Sequence, residues 1–139
     1  MTVRPATPGD AARVGALMEQ LGYQVPADDI ARRIGRDRCE REVFVAETGA
    51  GIVGWVAVCV EEGFVEGRLA WVEGFVVDER ARGSGIGARL LATAETWARA
   101  RGCDAMRVQS NVIRERAHAF YARHGYVKLK TQFAFRKSL

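Results

Sequence analysis

The chain has 139 residues, of which 48% are hydrophobic and 27% are charged, so it can bury the core of a single domain over residues 1–139 but is too short for two. It has no apolar run near the roughly 20 residues of a membrane span and no secretory signal pattern at its start, which predicts a soluble, cytoplasmic protein without a membrane partner. Its three cysteines, odd in number and far apart, predict reduced thiols and no metal site.

Charge is unevenly distributed along the chain. Residues 1–77 hold eight Arg or Lys and twelve Asp or Glu, whereas residues 78–139 hold thirteen and five. The basic half suits a polyanionic ligand, and the acidic half favours a cationic substrate. Nucleic acid is not the expected partner, because the arginines between residues 32 and 41 alternate with acidic residues and have no aromatic platform beside them. A basic nucleic-acid-binding domain stays open as an alternative that salt would reveal.

The predicted elements follow from apolar periodicity and from glycine, proline and capping residues. In chain order they are a strand near Thr2–Arg4, a helix after Asp10 that stops at Gly22, a helix over Asp28–Arg38, strands over Glu42–Glu47, Ile52–Val60 and Leu69–Val77, a helix from Ser84 to about Arg101, a strand over Ala105–Ser110, a helix over Arg114–His124, and strands over Tyr126–Lys130 and Gln132–Lys137. The order β-α-α-β-β-β-α-β-α-β-β predicts an α/β (α+β) fold with a mixed, mostly antiparallel sheet of six to seven strands and about four helices.

The most informative segment is the glycine-rich turn between the third long strand and the long helix. It reads Val76-Val77-Asp78-Glu79-Arg80-Ala81-Arg82-Gly83-Ser84-Gly85-Ile86-Gly87. Glycines at alternate positions allow close backbone approach, and the following helix start offers free N–H groups to an anion. A Walker loop would need a Lys after the glycines, and a dinucleotide site would need an acidic residue where Gln109 and Ser110 stand. The segment is interpreted as a phosphate cradle, and a glycine-rich turn without a ligand stays open as the alternative.

Two blocks of the sequence resemble the GCN5-related N-acetyltransferase (GNAT) superfamily. The signature Arg/Gln-x-x-Gly-x-Gly/Ala is met by Arg82-Gly83-Ser84-Gly85-Ile86-Gly87, and Val72-Glu73-Gly74-Phe75-Val76-Val77-Asp78 precedes it. The second block is Ser110-Asn111, followed by Ala117-His118-Ala119-Phe120-Tyr121 and Gly125-Tyr126. Arg114 stands where many members have Asn, so Asn111 is the residue expected to take that contact. The resemblance implies an acyltransferase that moves an acetyl group from acetyl-CoA to a primary amine.

The resemblance also implies roles for particular residues. The pyrophosphate of acetyl-CoA would meet the backbone at the helix start, and its pantetheine arm would follow the strand before it. The implied cofactor-binding residues are Phe75, Val76, Val77, Arg82, Gly83, Ser84, Gly85, Ile86, Gly87, Ala88, Asn111, Arg114, Ala117 and Tyr121. Homodimers are common in the family, but no feature of this sequence demands one.

Two residues are candidates for proton transfer. Tyr121 would protonate the departing thiolate as general acid, although helical spacing alone favours a core aromatic. Glu73 would take the proton of the acceptor amine, and the alternative is that it faces solvent or pairs with an arginine. Gly74 in a strand interior indicates either a β-bulge that separates two strands or close packing against Trp71 or Trp55.

The sequence does not identify the acceptor. The acidic first half favours a small, cationic amine, and resemblance to small aminoglycoside N-acetyltransferases leaves an aminoglycoside, a polyamine-like metabolite or a protein amino group open. A non-catalytic CoA-binding module is the alternative from another functional class.

Overall fold

The computed structural model describes residues 1–139. It divides into two compact units, Met1–Val108 and Gln109–Leu139. The first unit contains strands β1 (Thr2–Pro5), β2 (Arg41–Thr48), β3 (Gly51–Gly63), β4 (Gly67–Val77) and β5 (Met106–Val108), and helices α1 (Ala11–Met18), α2 (Ala27–Arg33) and α3 (Ile86–Ala100). The second unit contains helix α4 (Glu115–Arg123). None of the helices has the length and apolar character needed to cross a bilayer.

The five strands form one sheet in the order β1-β2-β3-β4-β5. The first four strands pair antiparallel and β5 pairs parallel to β4, which confirms a mixed, mostly antiparallel α/β fold. The turn Thr48-Gly49-Ala50-Gly51 closes the predicted hairpin, because Thr48 and Gly51 are register partners. The crossover from β4 through α3 to β5 supplies the parallel pair.

Helices cover both faces of this sheet. One face carries Trp55, which is buried in a cluster with Val14 of α1 and Ile30 of α2. Since neighbouring strand residues point to opposite faces, Gly54 belongs to the other face, where its missing side chain leaves room for Leu90 of α3: a Cβ at this position would lie 3.1 Å from Leu90 Cδ1.

The first helix begins directly after Asp10 and stops at Gly22 as predicted, but the Asp10 side chain does not cap it. Its last turn continues as a short 3₁₀ segment and stops at Gly22, which adopts a left-handed φ of 91°. Asp10 occupies the N-cap position, yet its carboxylate makes no cap hydrogen bond to α1. It accepts from the Thr7 backbone N–H at 2.8 Å and from Arg4 Nη1 at 2.8 Å. Asp10 therefore ties the end of β1 to the chain before α1.

Helix α2 is shorter than the sequence predicts. It ends at Arg33, because Ile34 is extended (φ −67°, ψ 129°) and buries its side chain. Gly35 then adopts φ 80° and Asp37 adopts φ 53°, which is the one positive φ outside glycine. This turn directs the chain into β2.

The last two predicted strands, over Tyr126–Lys130 and Gln132–Lys137, are wrong: the chain after α4 forms no strand, and the sheet has five strands rather than six or seven. The apolar side chains of this segment alternate as in a strand, but Val127, Leu129, Phe133 and Phe135 are all at least 72% exposed. Strand formation needs hydrogen-bonded neighbours, and β propensity alone does not supply them.

Candidate active site

A β-bulge interrupts β4 at Glu73. Ala57 pairs with Gly74 and Val58 pairs with Val72, so Glu73 is the extra residue on β4. The β4–β5 ladder ends at the pair Val72 and Val108, whereas β4 continues to Val77. The bulge that the glycine indicated is therefore confirmed, at the point where the paired part of β4 and β5 ends.

Gly74 also packs against a large neighbour. A Cβ at this position would lie 2.8 Å from both Cζ3 and Cη2 of Trp55. The indole is itself fixed, because it is 4% exposed and its Nε1 donates to the Val14 carbonyl at 3.2 Å. Both explanations of Gly74, a bulge and close packing against Trp55, thus hold together.

The bulge borders a cleft of about 290 Å³ between the sheet and the α1–α2 side. Its lining includes Trp55, Ala57 and Gly74 from the sheet and Ile30 from α2, with Glu73 and Arg41 among its charged groups. The volume lies at the lower limit of typical small-ligand pockets, which run from about 300 to 1,000 Å³. The cleft suits a small ligand that meets a carboxylate at its wall.

Glu73 is paired with an arginine. Arg41 Nη1 donates to Glu73 Oε1 at 2.9 Å and to Oε2 at 3.0 Å, across the intervening strand β3. The side chains of Glu73 and Arg41 are 42% and 49% exposed, so the pair remains accessible from the cleft.

The Cys59 thiol lies near this pair. Burial and the nearby charge of Glu73 raise the pKa of the Cys59 thiol to about 11, which keeps that thiol protonated and unreactive at neutral pH.

The glycine turn has the backbone geometry of an anion cradle. Gly83 and Gly85 have φ values of 83° and 81°, a conformation that favours glycine. Helix α3 begins at Ile86, and its first bonded amide is that of Arg89, which donates to the Gly85 carbonyl at 3.2 Å. The amides of Ile86, Gly87 and Ala88 therefore lack an intrahelical acceptor and point from the positive end of the helix dipole.

Two side chains of this turn donate hydrogen bonds to carbonyls of the chain that precedes the glycines. Arg82 Nε donates to the Val77 carbonyl at 3.2 Å, and the Ser84 hydroxyl donates to the Ala81 carbonyl. Arg82 is exposed. The turn thus keeps its shape through its own chain, with a guanidinium beside the glycines.

Asp78 is a structural residue that the sequence analysis missed. It is 5% exposed and accepts from the Arg80 amide at 3.1 Å and from Arg13 Nη2 at 2.7 Å. The Arg80 amide, followed by the Arg13 and Gln20 side chains, lowers the pKa of its carboxyl. Gln20 in turn accepts from the Glu79 amide at 3.2 Å. Asp78 joins α1 to the start of the glycine turn, and an aspartate directly after an apolar strand is the signal that could have identified it.

The second group of predicted site residues lies in the second unit. Asn111 Oδ1 accepts from the Ile113 amide at 3.3 Å, and the Asn111 carbonyl accepts from the Arg114 amide at 3.0 Å. Arg114 is the N-cap residue of α4, and it shares a helical face with Ala117 and Tyr121. The structure thus places Asn111 and Arg114 in the turn before α4 and the other two on the helix.

Tyr121 is buried, with 8% of its surface exposed. Its ring contacts those of Phe120 and Tyr126 at centroid distances of 5.6 and 5.8 Å. Burial raises the pKa of the phenol, and the charge of Arg114 opposes that shift. Tyr121 is therefore protonated at neutral pH, which is the form a general acid requires.

No group of three or more His, Cys, Asp or Glu side chains is arranged to hold a metal ion. The predicted residues from Glu73 to Ala88 form one continuous segment of strand, turn and helix start.

The fold thus combines an open mixed sheet, a bulged strand and a glycine turn at a helix start. Residues 16–126 match the model of the acetyltransferase (GNAT) family. The chain belongs to this family.

Named relatives agree with this assignment. The chain is 32% identical to an aminoglycoside N(6')-acetyltransferase type 1 of Stenotrophomonas maltophilia, over 99% of this chain and 94% of the relative. It is 30% identical to an aminoalkylphosphonate N-acetyltransferase of Salmonella typhimurium, over 99% and 90%. Among solved structures, AAC(6')-Iy in complex with the bisubstrate analogue CoA-S-monomethyl-acetylneamine is similar in fold, with a TM-score of 0.84 and 18% identity over 99% of this chain and 98% of that one.

Proposed function

We propose that this protein transfers an acetyl group from acetyl-CoA to the primary amine of a small acceptor, by direct attack within a ternary complex. One observation carries the proposal. A bulged strand that borders a cleft at Glu73 and Gly74 leads within a few residues into a glycine turn and helix start with free amides. This arrangement offers a site for an amine beside a site for a phosphorylated acyl donor.

The residues of the turn fit the anionic part of acetyl-CoA. The amides of Gly83 through Ala88 would bind the pyrophosphate, and Arg82 would add a charged donor. The main chain from Phe75 to Val77 would bind the pantetheine arm, and an amide beside the bulge would stabilise negative charge on the thioester oxygen. Asn111, Arg114 and Ala117 are the remaining proposed contacts.

The proton transfers are assigned to Glu73 and Tyr121. Glu73 accepts a proton from the acceptor ammonium, directly or through water, and Arg41 orients its carboxylate at the cleft wall. The amine nitrogen then forms a bond to the acetyl carbon, the carbon–sulfur bond breaks, and the nitrogen releases its second proton to water to give the neutral amide. Tyr121 donates its phenolic proton to the leaving thiolate, and its burial keeps it protonated until that step.

Other acceptors and another function class stay open within this proposal. The relatives named above act, by their names, on an aminoglycoside and on an aminoalkylphosphonate, so an aminoglycoside-type reaction is one alternative and a protein amine another. A non-catalytic CoA-binding module would bind the same ligand without turnover. A cytoplasmic location is proposed from the hydropathy of the sequence, and a homodimer is proposed from the family resemblance alone.

The first test is binding of acetyl-CoA. At about 100 times its dissociation constant, it should increase the free energy of unfolding by about 2.7 kcal/mol, with a matching rise in the thermal midpoint, whereas NAD should leave the midpoint unchanged. If NAD alone stabilises the fold, or neither ligand does, the proposal is wrong.

The second test is release of free thiol from acetyl-CoA with a panel of amines. Tyr121→Phe should fold normally and lower kcat by roughly a hundredfold. Acetyl-CoA binding without thiol release from any amine would favour the non-catalytic module instead.

A further inference from the structure

The α2–β2 side of the cleft carries an unbalanced set of charges. Every carboxylate that lines the cleft or the adjoining open cavity of about 470 Å³ already has an arginine partner. The pairs are Glu73 with Arg41, Glu42 with Arg38 at 2.6 Å, and Asp29 with Arg32. The acidic side chains of this region are therefore occupied by neighbours in the same chain.

Two arginines at the cleft have no acidic partner. Arg33 and Arg36 line both the cleft and the open cavity, both are exposed, and neither side chain has an acidic partner in the structure. Ile34 is buried between them in sequence, and Gly35 follows in the left-handed conformation. The abrupt end of α2 thus holds the stretch from Arg33 to Arg36 at the cleft.

We infer that Arg33 and Arg36 form an oxyanion subsite, and that the acceptor is a small amine bearing a phosphonate, phosphate or carboxylate group. This inference rests on the proposed function and specifies its acceptor. The guanidinium groups would bind the oxyanion in a charge-assisted, bidentate manner. The amine at the other end of the acceptor would then lie toward Glu73, which borders the same cleft.

The same charges disfavour a polycationic acceptor. A polyamine or aminoglycoside brings several positive charges to a wall whose carboxylates are already paired, so it would meet the free guanidinium groups of Arg33 and Arg36 without compensation. The volume of about 290 Å³ also favours a compact acceptor. The charges at the cleft therefore favour an acceptor with an anionic group, whereas the net charge of the first half of the sequence favours a cationic acceptor.

The test compares four amines at fixed acetyl-CoA and salt, with free thiol as the readout. They are 2-aminoethylphosphonate, β-alanine, propylamine and spermidine, and they cover a phosphonate, a carboxylate, no second charge and a polycation. Wild-type kcat/KM should be at least about tenfold higher for the better of the two anionic amines than for propylamine, and lowest for spermidine. The ratio of kcat/KM for 2-aminoethylphosphonate to kcat/KM for β-alanine identifies which oxyanion is preferred.

Variants assign the preference to the two arginines. Arg33→Gln and Arg36→Gln should each lower kcat/KM for the anionic amine by about tenfold, mainly through KM, and leave propylamine unchanged. Arg33→Lys should recover part of the loss. Arg99→Gln removes one positive charge from the exposed end of α3 and serves as the matched control, with no selective effect on the anionic amine.

The outcomes separate this inference from the proposed function. If acetyl-CoA stabilises the fold and thiol is released, but propylamine or spermidine is used as well as the anionic amines, the oxyanion subsite is wrong and the acetyltransferase stands. Equal losses with all amines in Arg33→Gln and Arg36→Gln would also overturn the subsite. If acetyl-CoA neither binds nor releases thiol, the proposed function fails first.

Discussion

Glu73 combines two properties in one side chain. As the extra residue of a β-bulge, it escapes the alternation that would have fixed its direction in a regular strand. Its carboxylate then reaches Arg41 on β2 and borders the cleft at the same time. A partly exposed ion pair contributes little to stability, so Glu73 can be replaced to test its proposed role with little effect on folding.

Replacement of Glu73 by Gln tests the proposed catalytic role of its carboxylate. We expect Glu73→Gln to lower kcat/KM at pH 7 by 10²-fold or more, as roughly expected for loss of a general base, and to change stability by less than about 1 kcal/mol. The deficit should shrink as pH approaches the amine pKa near ~10.4, because the acceptor then loses its proton without help. A pH series of thiol release measures this.

Arg41→Gln is the comparison for that experiment. It breaks the same ion pair but leaves the carboxylate in the cleft, so its loss of activity should be much smaller and should not recover at high pH. Equal deficits in Glu73→Gln and Arg41→Gln would mean that the pair only shapes the cleft.

At this scale the sequence predicted residue types better than their partners. The segment Arg82–Gly87 could be predicted as a glycine turn at a helix start, because the glycines and the helix start are adjacent in sequence. The arginine that pairs with Glu73 could not be assigned, because Arg41 lies 32 residues away and becomes a neighbour only through the register of three strands.

Strand β4 is the element on which the candidate site depends. It is paired on both sides at Val72, carries the bulge at Glu73, and runs directly through Val77 into the turn that Asp78 fixes. One strand thus positions the proposed base, the proposed backbone contacts and the start of the anion cradle.

Gly74→Ala tests how tightly this strand is held. Its new Cβ would lie 2.8 Å from the Trp55 ring, which cannot retreat without losing its hydrogen bond to Val14. We expect a loss of about 1–3 kcal/mol in unfolding free energy by urea titration, together with reduced thiol release.

Gly49→Ala is the matched control, because a Cβ at this turn position meets no atom within 4 Å. It should change stability by no more than about 0.5 kcal/mol. If Gly74→Ala is equally harmless, the contact between β4 and Trp55 is looser than the structure indicates.

Element prediction succeeded where the determinants were local. The hairpin at Thr48–Gly51 and the stop of α1 at Gly22 follow from turn and capping residues. The end of α2 could not be predicted in this way, because Ile34 has helical spacing in the sequence but is extended and buried in the structure. The terminal strands failed for a similar reason, because an alternating sequence becomes a strand only when another edge accepts its hydrogen bonds.

Across the whole molecule, the net charge of the first half of the sequence differs from the charge that faces the cleft. The first half of the sequence is acidic overall, which favoured a cationic acceptor. Much of that acidity is neutralised by arginines within the fold. Four of the pairs are Asp10 with Arg4, Asp29 with Arg32, Glu42 with Arg38, and Glu73 with Arg41. The charged side chains that stay unpaired at the cleft are those of Arg33 and Arg36, and both are positive.

The same pairing predicts how the stability of the chain depends on pH. Hydrogen bonds from Arg4 and Thr7 lower the pKa of Asp10 from 3.8 to about 2. Because the folded pKa is lower than the unfolded value, ionised Asp10 stabilises the fold above pH ~4, and this contribution disappears as pH falls toward 2. At pH 7 it amounts to about 1–2 kcal/mol, allowing for the partial exposure of Arg4.

Asp10→Asn should therefore destabilise the protein by about 1–2 kcal/mol at pH 7 in urea titrations, and its difference from wild type should vanish between pH 4 and pH 2. Asp104→Asn, at an exposed position, should match wild type throughout that range. The difference in unfolding free energy between Asp10→Asn and wild type could instead stay constant down to pH 2. The loss would then come from the shape of the Thr7–Asp10 turn, and the charge of the carboxylate would not stabilise the connection between β1 and α1.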